Sequence, residues 1–153
     1  MRLRGYRDSD RDLLAGHWLP GELIGLPLTD RPPLAEPTTV SAPVDDRAEL
    51  CVADGIGFAR FAEVDWVHRR ARLEIGLRPD AADAAEQLVG LAVEHGLRVL
   101  NLHRVHGWVT PATTPRTDIL ARAGFQREAV LPDGAWHAGR AVDREIWGMV
   151  RHD

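Results

Sequence analysis

The chain has 153 residues, of which 44% are hydrophobic and 27% are charged, and its formal net charge is -4. This length predicts a single domain over residues 1–153 with a core of its own. The mild acidity argues against a nucleic-acid partner, because such proteins usually carry a basic excess. All 19 basic residues are arginine, which excludes a lysine nucleophile or a lysine base.

Cysteine content and hydropathy indicate the cellular location of the protein. Cys51 is the only cysteine, so the chain has no internal disulfide, and its apolar neighbours predict a buried core thiol. Residues 1–12 contain no apolar signal segment, and no run approaches the roughly 18 apolar residues of a membrane span. We therefore expect a cytoplasmic protein without a membrane partner.

The first third of the chain combines a short regular part with a proline-rich part. Residues 3–6 predict a strand, and a helix capped within residues 8–10 is expected to continue to about Trp18. Six prolines in residues 20–43 exclude a continuous helix there. Residues 23–28 are too apolar for a free linker. The proline-rich segment is therefore either a lid or wall over a substrate site, or a packed connection without a functional role.

The middle of the chain predicts an antiparallel meander. Strands are expected at residues 49–53, 56–66 and 72–77, and Asp54-Gly55 is typical of a tight turn between the first two. The meander leads directly into the segment that follows Leu77.

A helix is expected after this meander. Asp83 and Glu86 have the spacing of a capping box, with Asp83 as the N-cap and Glu86 as its N3 partner. Apolar positions follow one helical face, and Gly96 is expected to end the helix as a C′ glycine.

The last third predicts alternating strands and one short helix. A strand is expected at residues 104–110, and Thr114-Pro115 resembles the start of a helix that ends at Gly124. Two closing strands are expected at residues 125–130 and 142–149. The turn residues between them are Pro132-Asp133-Gly134 and Gly139.

Four motifs together resemble the GCN5-related N-acetyltransferase (GNAT) superfamily, in its ribosomal-protein alanine acetyltransferase-like branch. They are residues 73–77 (LEIGL), 102–105 (LHRV), 119–125 (ILARAGF) and 133–140 (DGAWHAGR), the last followed by Asp143. The resemblance implies an α/β fold with a mixed, twisted sheet of six to seven strands flanked by helices. It also implies that acetyl-CoA or another acyl-CoA enters an opening between the fourth and fifth strands, and that the acyl group passes to an amine.

The cofactor residues implied by the resemblance are Arg78, the backbone at Val109, Thr113 and Thr114. In the family, a glycine-rich turn after the fourth strand binds the pyrophosphate through backbone N–H groups and the helix dipole. Residues 78–86 of this chain contain no glycine.

That segment also carries three acids, Asp80, Asp83 and Glu86, which oppose a phosphate. Tyr6 is the only tyrosine, so the late tyrosine acid of many GNAT proteins is missing. The pyrophosphate loop is therefore degenerate.

Two acids and one histidine are the catalytic candidates, and a third acid is a candidate for the substrate pocket. The resemblance makes Glu74 a general base, with a cross-strand ion pair to an arginine (Arg60 or Arg72) as the alternative. Asp65 is a catalytic candidate and Glu63 a substrate-pocket candidate; both could equally be solvated residues at a strand end. His106 is a candidate acid or base on the fifth strand, whereas His103 matches a structural position of the family.

Tryptophans and the last strand complete the predicted site. Trp108 and Trp136 are expected to line an acceptor pocket, because an indole offers a flat apolar wall with one donor; packing at an interface or in the core is the alternative. No spacing of histidines and carboxylates predicts a metal site. Apolar residues of the last strand are expected to form a homodimer edge: Val142, Ile146, Trp147 and Met149.

Two functions stay open. The first is a GNAT-type acyltransferase that moves an acyl group from acyl-CoA to an amine of a small molecule or peptide. The second is a GNAT-fold protein that no longer uses CoA, and that either performs acid–base chemistry on a small metabolite or binds a ligand without catalysis. The glycine-free segment after Arg78 favours the second function.

Overall fold

A computed structural model describes residues 1–16, 18–19, 21–25, 40, 43–114 and 117–152. The strands are β1 (Arg4–Gly5), β2 (Glu49–Ala53), β3 (Gly57–Asp65), β4 (Arg70–Leu77), β5 (Arg104–Val109), β6 (Gln126–His137) and β7 (Arg140–Val150), and the α-helices are α1 (Ala85–Glu94) and α2 (Thr117–Arg122). The strands form one mixed sheet in the order β1-β2-β3-β4-β5-β7-β6. The predicted α/β class with a sheet of six to seven strands is confirmed.

The strands of the meander lie where the sequence predicted them. β2 pairs with β3 and β3 with β4, both antiparallel, and β4 then pairs in parallel with β5. A β-bulge between Ala62 and Asp65 interrupts the register of β3, and Glu63 there has a positive φ of 53°. None of the described helices is long and apolar enough to cross a membrane.

The two helices cover one face of the sheet, which we call the helix face. Alternate residues of β4 point to this face and enter a core shared with α1. Its fully buried members include Leu73, Ile75, Leu77, Leu88, Val89 and Leu120. The intervening residues of β4, including Arg72 and Glu74, point to the opposite face, which we call the open face.

Two predicted helix features are wrong. Residues 8–18 do not form one helix, because only Asp8–Asp10 is helical, as a 3-10 turn, and the described residues after it form turns. Leu14 and Trp18 are nevertheless buried, as their apolar pattern indicated. The predicted capping box also fails: Ala84 is the N-cap of α1 and no side chain caps it. Pro79 instead starts a separate 3-10 segment, Pro79–Ala84, before α1.

The predicted C′ glycine of α1 is wrong as well. The helix runs on into a π-helical turn at His95–Val99, where the Leu100 N–H donates to the His95 carbonyl at 3.0 Å. Gly96 is buried, and a Cβ atom at this position would lie 2.8 Å from the Phe61 ring. The glycine therefore permits close helix–sheet packing and does not end the helix.

The C-terminal strands are longer than predicted. β6 and β7 form one hairpin around Gly139, and Asp133 lies within β6 at a register shift, so residues 132–134 do not separate two strands. β7 lies between β5 and β6 in the sheet. The expectation that β7 forms an edge for dimerisation is therefore wrong, since Val142, Ile146, Trp147 and Met149 belong to an interior strand. The helix start expected at Pro115 lies outside the described residues.

Candidate functional site

The parallel strands β4 and β5 pair only at their beginnings and then diverge. Their register joins Arg70–Arg72 to Arg104–His106 and stops there. Beyond this point residues 21–25, which we call the inserted segment, lie between the two strands. The Trp108 N–H donates to the Gly21 carbonyl and the Leu23 N–H to the Trp108 carbonyl, each at 2.9 Å. The segment is thus hydrogen-bonded to β5.

The inserted segment is hydrogen-bonded to β4 in the same way. The Ile75 N–H donates to the Glu22 carbonyl at 2.9 Å, and the Gly25 N–H donates to the Ile75 carbonyl at 2.8 Å. The Leu77 N–H then donates to the Gly25 carbonyl at 2.8 Å. Backbone groups that β4 would otherwise leave free in the opening are therefore satisfied by the chain itself.

Side-chain packing anchors the inserted segment. Leu23 is fully buried in the core. A Cβ atom at Gly107 would lie 2.6 Å from Leu23 Cγ, so glycine at this position of β5 makes room for the leucine. Gly21 has a φ of 79°, a conformation that favours glycine, and it packs against the Trp108 ring.

Two buried carboxylates flank the inserted segment. Glu22 is 2% exposed and Glu74 is 4% exposed. Glu74 Oε2 accepts a hydrogen bond from the Gly21 N–H at 2.8 Å. Neither Arg60 nor Arg72 forms an ion pair with Glu74 among the described residues, so the alternative interpretation of Glu74 as an ion-pair partner is wrong.

Glu22 has a mixed environment. The Thr110 hydroxyl donates to Glu22 Oε1, and an Arg144 nitrogen lies 3.8 Å from Glu22 Oε2. Burial nevertheless raises the pKa of Glu22, with a smaller contribution from Glu74, and the hydroxyl and the guanidinium only partly oppose the rise. Two carboxylates with different environments therefore share the opening.

Trp108 forms part of the wall of this region. The Arg144 guanidinium lies 4.6 Å from the centre of its ring, within cation–π distance. Trp108 is thus next to both the inserted segment and Arg144. Trp136, the second tryptophan predicted for the pocket, is 67% exposed near the tip of the β6–β7 hairpin. It does not line either of the two pockets described below.

His106 lines a pocket of about 520 Å³ on the open face. Burial lowers its pKa first, and the nearby positive charges of Arg104 and Arg72 lower it further. The imidazole is therefore neutral at neutral pH and able to accept a proton. Its Nδ1 atom is buried without a hydrogen-bond partner among the described residues.

Asp65 and Glu63 line the same pocket and a larger neighbouring one of about 1000 Å³. Asp65 accepts a hydrogen bond from the His68 N–H at 2.9 Å, which is the main cause of its lowered pKa, and it also pairs with Arg70 at 3.7 Å. These contacts stabilise the β3–β4 turn. The Glu63 side chain is 70% exposed and lies 3.4 Å from Arg72.

The predicted cofactor residues do not converge on a phosphate or thioester site. Arg78 donates to the Ala15 carbonyl at 2.8 Å and the Leu13 carbonyl at 3.3 Å, so its guanidinium holds the N-terminal turn. Thr113 donates to the Thr110 carbonyl at 3.1 Å, and Thr114 is buried.

Val109 is also misassigned as the backbone donor in the opening. The N–H and carbonyl of Trp108 point to the inserted segment. Because successive residues of a strand alternate, those of Val109 point toward β7. The backbone of β5 in the opening is therefore that of Trp108.

Acyl-CoA does not fit this conformation. Its pantetheine arm is expected between β4 and β5, where the inserted segment lies with Leu23 in the core. Its pyrophosphate would meet Pro79, which has no N–H, and the exposed carboxylates of Asp80 and Asp83.

A mixed seven-stranded sheet in which the parallel strands β4 and β5 pair and then diverge matches the GNAT fold. Solved structures agree. A point mutant of Vibrio cholerae spermidine N-acetyltransferase SpeG superposes with a TM-score of 0.63 at 24% identity, covering 70% of this chain and 68% of that one. The dodecameric structure of that enzyme in an intermediate state gives a TM-score of 0.64 at 22% identity, covering 69% and 66%. The chain therefore has the GNAT fold.

Curated relatives carry acetyltransferase names. The uncharacterized N-acetyltransferase p20 of Bacillus licheniformis is 27% identical over 100 residues, which is 64% of this chain and 56% of that protein. Spermidine N(1)-acetyltransferase of Vibrio cholerae is 26% identical over 90 residues, covering 58% and 52%. The chain spans about half the length of these relatives. No family model matches the sequence.

Sequence reasoning missed Glu22, Thr110 and Arg144. Glu22 stood in the segment interpreted as a lid or connection, and Arg144 stood in a strand interpreted as a dimer edge. The apolar residues around Glu22 could have indicated its role, because an isolated acid in an apolar run is expected to be buried with a hydrogen-bond or ion-pair partner.

Proposed function

We propose that this protein is a GNAT-type N-acyltransferase that moves an acyl group from acyl-CoA to an amine. The observation that supports it is the divergence of the parallel strands β4 and β5 beside the buried Glu74. The names of the curated relatives support the same reaction. A small-molecule amine is the favoured acceptor, since one of those relatives is named spermidine N(1)-acetyltransferase.

Several finer assignments belong to this proposal. A peptide N-terminus is the acceptor that the ribosomal-protein alanine acetyltransferase-like branch would imply. Acetyl-CoA is the proposed donor, and a cytoplasmic location is proposed with it. The degenerate loop after Arg78 and the homodimer are further parts of the proposal.

The residues of the open face have distinct proposed roles. Glu74 takes a proton from the attacking amine, directly or through a water, once the Gly21 N–H no longer occupies its carboxylate. His106, neutral and half-buried, is an alternative proton acceptor. Asp65 and Glu63 contribute negative charge at the mouth of the pocket that would receive an ammonium group.

Acyl transfer requires the inserted segment to leave the opening. Its departure would break the backbone hydrogen bonds to β4 and β5 and expose Leu23. Only molecules in the open state can bind the donor. Because this state is a small fraction of the total, the apparent affinity for the donor is lower than the affinity of the open state.

A second candidate function is a GNAT-fold protein that does not use CoA. The inserted segment favours it, because the segment occupies the donor's place and brings Glu22 next to Glu74. Two buried carboxyl groups in different environments, of which burial raises the pKa of Glu22, are an arrangement suited to acid–base chemistry on a small metabolite. A ligand-binding role without catalysis would use the same pockets.

Calorimetric titration of the full chain with acetyl-CoA separates the two functions. Micromolar binding, with acetyl transfer to spermidine measured as thiol release, would exclude the CoA-free function. No heat at millimolar acetyl-CoA would exclude the acyltransferase. Given activity, Glu74→Gln should lower kcat by about 10²–10⁴-fold, the usual contribution of a general base. Glu94→Gln, on an exposed position of α1, is the matched control.

A second pair of variants tests the loop after Arg78. Replacing Asp80 and Asp83 by glycine removes two charges and frees the backbone, whereas replacing both by asparagine removes only the charges. If the loop limits donor binding, the glycine variant should bind acetyl-CoA more tightly than the asparagine variant. Equal binding by both variants and the wild type would leave the inserted segment as the limiting feature.

A further inference from the structure

A cluster on the helix face is separate from the site described above. Glu49 and Cys51 lie two residues apart on β2, so their side chains point to the same face, and His95 reaches them from the end of α1. The three donor atoms converge. His95 Nε2 lies 2.5 Å from Glu49 Oε2 and 3.6 Å from Cys51 Sγ, and Cys51 Sγ lies 3.9 Å from Glu49 Oε2.

The arrangement is unlike a nucleophilic relay. A cysteine–histidine–acid relay needs the thiol on one imidazole nitrogen and the carboxylate on the other. Here both groups meet the same nitrogen, Nε2 of His95. Three donors around one point are instead the arrangement that a metal ion requires.

The distance between Cys51 and His95 agrees with two ligands of a tetrahedral ion. With Zn–S of about 2.3 Å and Zn–N of about 2.0 Å, sulfur and nitrogen lie about 3.5 Å apart across a tetrahedral angle, close to the 3.6 Å of Cys51 and His95. The Glu49 oxygen must move about 1 Å away from His95 to reach the corresponding separation. Its side chain is 40% exposed and therefore has room to rotate, and the same exposure admits a water as the fourth ligand.

The backbone gives an independent indication. α1 changes to a π-helical turn beginning at His95, and such turns are rare and frequent at functional sites. The His95 imidazole, at the start of this turn, packs against Phe61 with ring centres 5.8 Å apart.

We propose that Glu49, Cys51 and His95 form a zinc site that links β2 to the end of α1. Thiolate, imidazole and carboxylate together suit Zn²⁺ better than Mg²⁺ or Ca²⁺, which prefer oxygen ligands. On binding, the Cys51 S–H bond breaks, a Zn–S bond forms, the thiol proton goes to solvent, and no group is oxidised or reduced. The sequence did not predict this site, because Cys51 and His95 are 44 residues apart and the three ligands follow no motif spacing.

Cobalt titration of the chelator-treated full chain tests the site. Because Cys51 is the only cysteine, a thiolate-to-cobalt charge-transfer band would identify it as a ligand. We expect one equivalent of Co²⁺ to give this band, Zn²⁺ to displace the cobalt, and Zn²⁺ to raise Tm. Absence of the band and of any Zn²⁺-dependent change in Tm would overturn the proposal.

Variants assign the other two ligands. His95→Gln and Glu49→Gln keep the thiol and should each weaken Co²⁺ binding by at least about tenfold, the loss that follows when even an outer partner of a metal ligand is removed. His103→Gln, which changes an exposed histidine on the loop before β5, should leave the affinity unchanged. Cys51→Ser should abolish the band, and circular dichroism would verify its fold. Equal affinity of wild type, His95→Gln and Glu49→Gln would overturn the proposed ligand set.

Discussion

Leu23 holds the inserted segment in the sheet, because its side chain fills the space beside Gly107 and is fully buried. Leu23→Ala should lower the free energy of unfolding by about 2–5 kcal/mol, the usual cost of this truncation in a core. It should also favour the open state of the strands and thereby raise the apparent affinity for acetyl-CoA. Urea unfolding and calorimetric titration measure the two effects.

The control for Leu23→Ala is Leu102→Ala. Leu102 is equally buried but lies before β5, outside the opening. It should lower stability without changing the affinity for acetyl-CoA. If both variants leave acetyl-CoA binding unchanged while Leu23→Ala loses stability, the segment is a permanent strand of the sheet and does not regulate donor access.

Glu22 should make stability depend on pH. Burial raises its pKa in the folded state above the ordinary 4.5, so the folded protein binds the proton more tightly than the unfolded chain. The stability contributed by Glu22 is then fully present below pH 4.5 and is lost as the pH rises through the folded pKa. Glu22→Gln cannot titrate, and its oxygen can still accept from Thr110.

Glu22→Gln should therefore gain stability relative to the wild type as the pH rises from acid to neutral. Urea unfolding at a series of pH values measures this difference. Glu63→Gln, at an exposed side chain, is the control and should follow the wild type. Parallel curves for Glu22→Gln and wild type would mean that Arg144 and Thr110 fully compensate the burial of Glu22.

At the scale of elements, the inserted segment should behave as part of the sheet. Its amides and those of β4 and β5 that face it are hydrogen-bonded, so we expect slow hydrogen exchange at Leu23, Gly25, Ile75 and Trp108. Exchange measured by mass spectrometry should show protection comparable to β3. If acetyl-CoA displaces the segment, its peptides should exchange faster with the ligand than without it. Fast exchange in the free protein would contradict the pairing described above.

Elements with local signals could be predicted from the sequence. β2 was predicted with its observed bounds, and β4 and β5 within two residues, because their apolar patterns reflect burial on a face of the sheet.

Features that depend on distant contacts could not be predicted. The pairing of residues 21–25 with β4 and β5 joins positions about 50 to 85 residues apart. Gly96 resembled a helix end because it follows the apolar pattern of α1 in the sequence. Its actual role is to make room for Phe61 of β3, which is distant in the sequence. Asp83 had the spacing of a cap, but Pro79 begins a different helical segment before it.

At the scale of the whole molecule, the exposed edge of the sheet is the place where self-association is expected. β6 is the terminal strand beside β7, and it carries exposed apolar side chains: Val130 at 45%, Leu131 at 48% and Trp136 at 67%. An apolar edge strand presents free backbone groups that pair readily with a second strand. The proposed homodimer should therefore form through β6, whereas the sequence had indicated β7.

Trp136→Arg should shift the protein toward the monomer, measured by sedimentation equilibrium across a range of concentrations. In the dimer the arginine would be buried at the interface without a partner, whereas in the monomer it would stay in water. The substitution should therefore destabilise the dimer and raise its dissociation constant. Val67→Arg is the matched control, since Val67 is 85% exposed but lies in the β3–β4 turn, away from β6. A wild type that remains monomeric at every concentration would exclude the β6 interface, and equal effects of both variants would indicate nonspecific association.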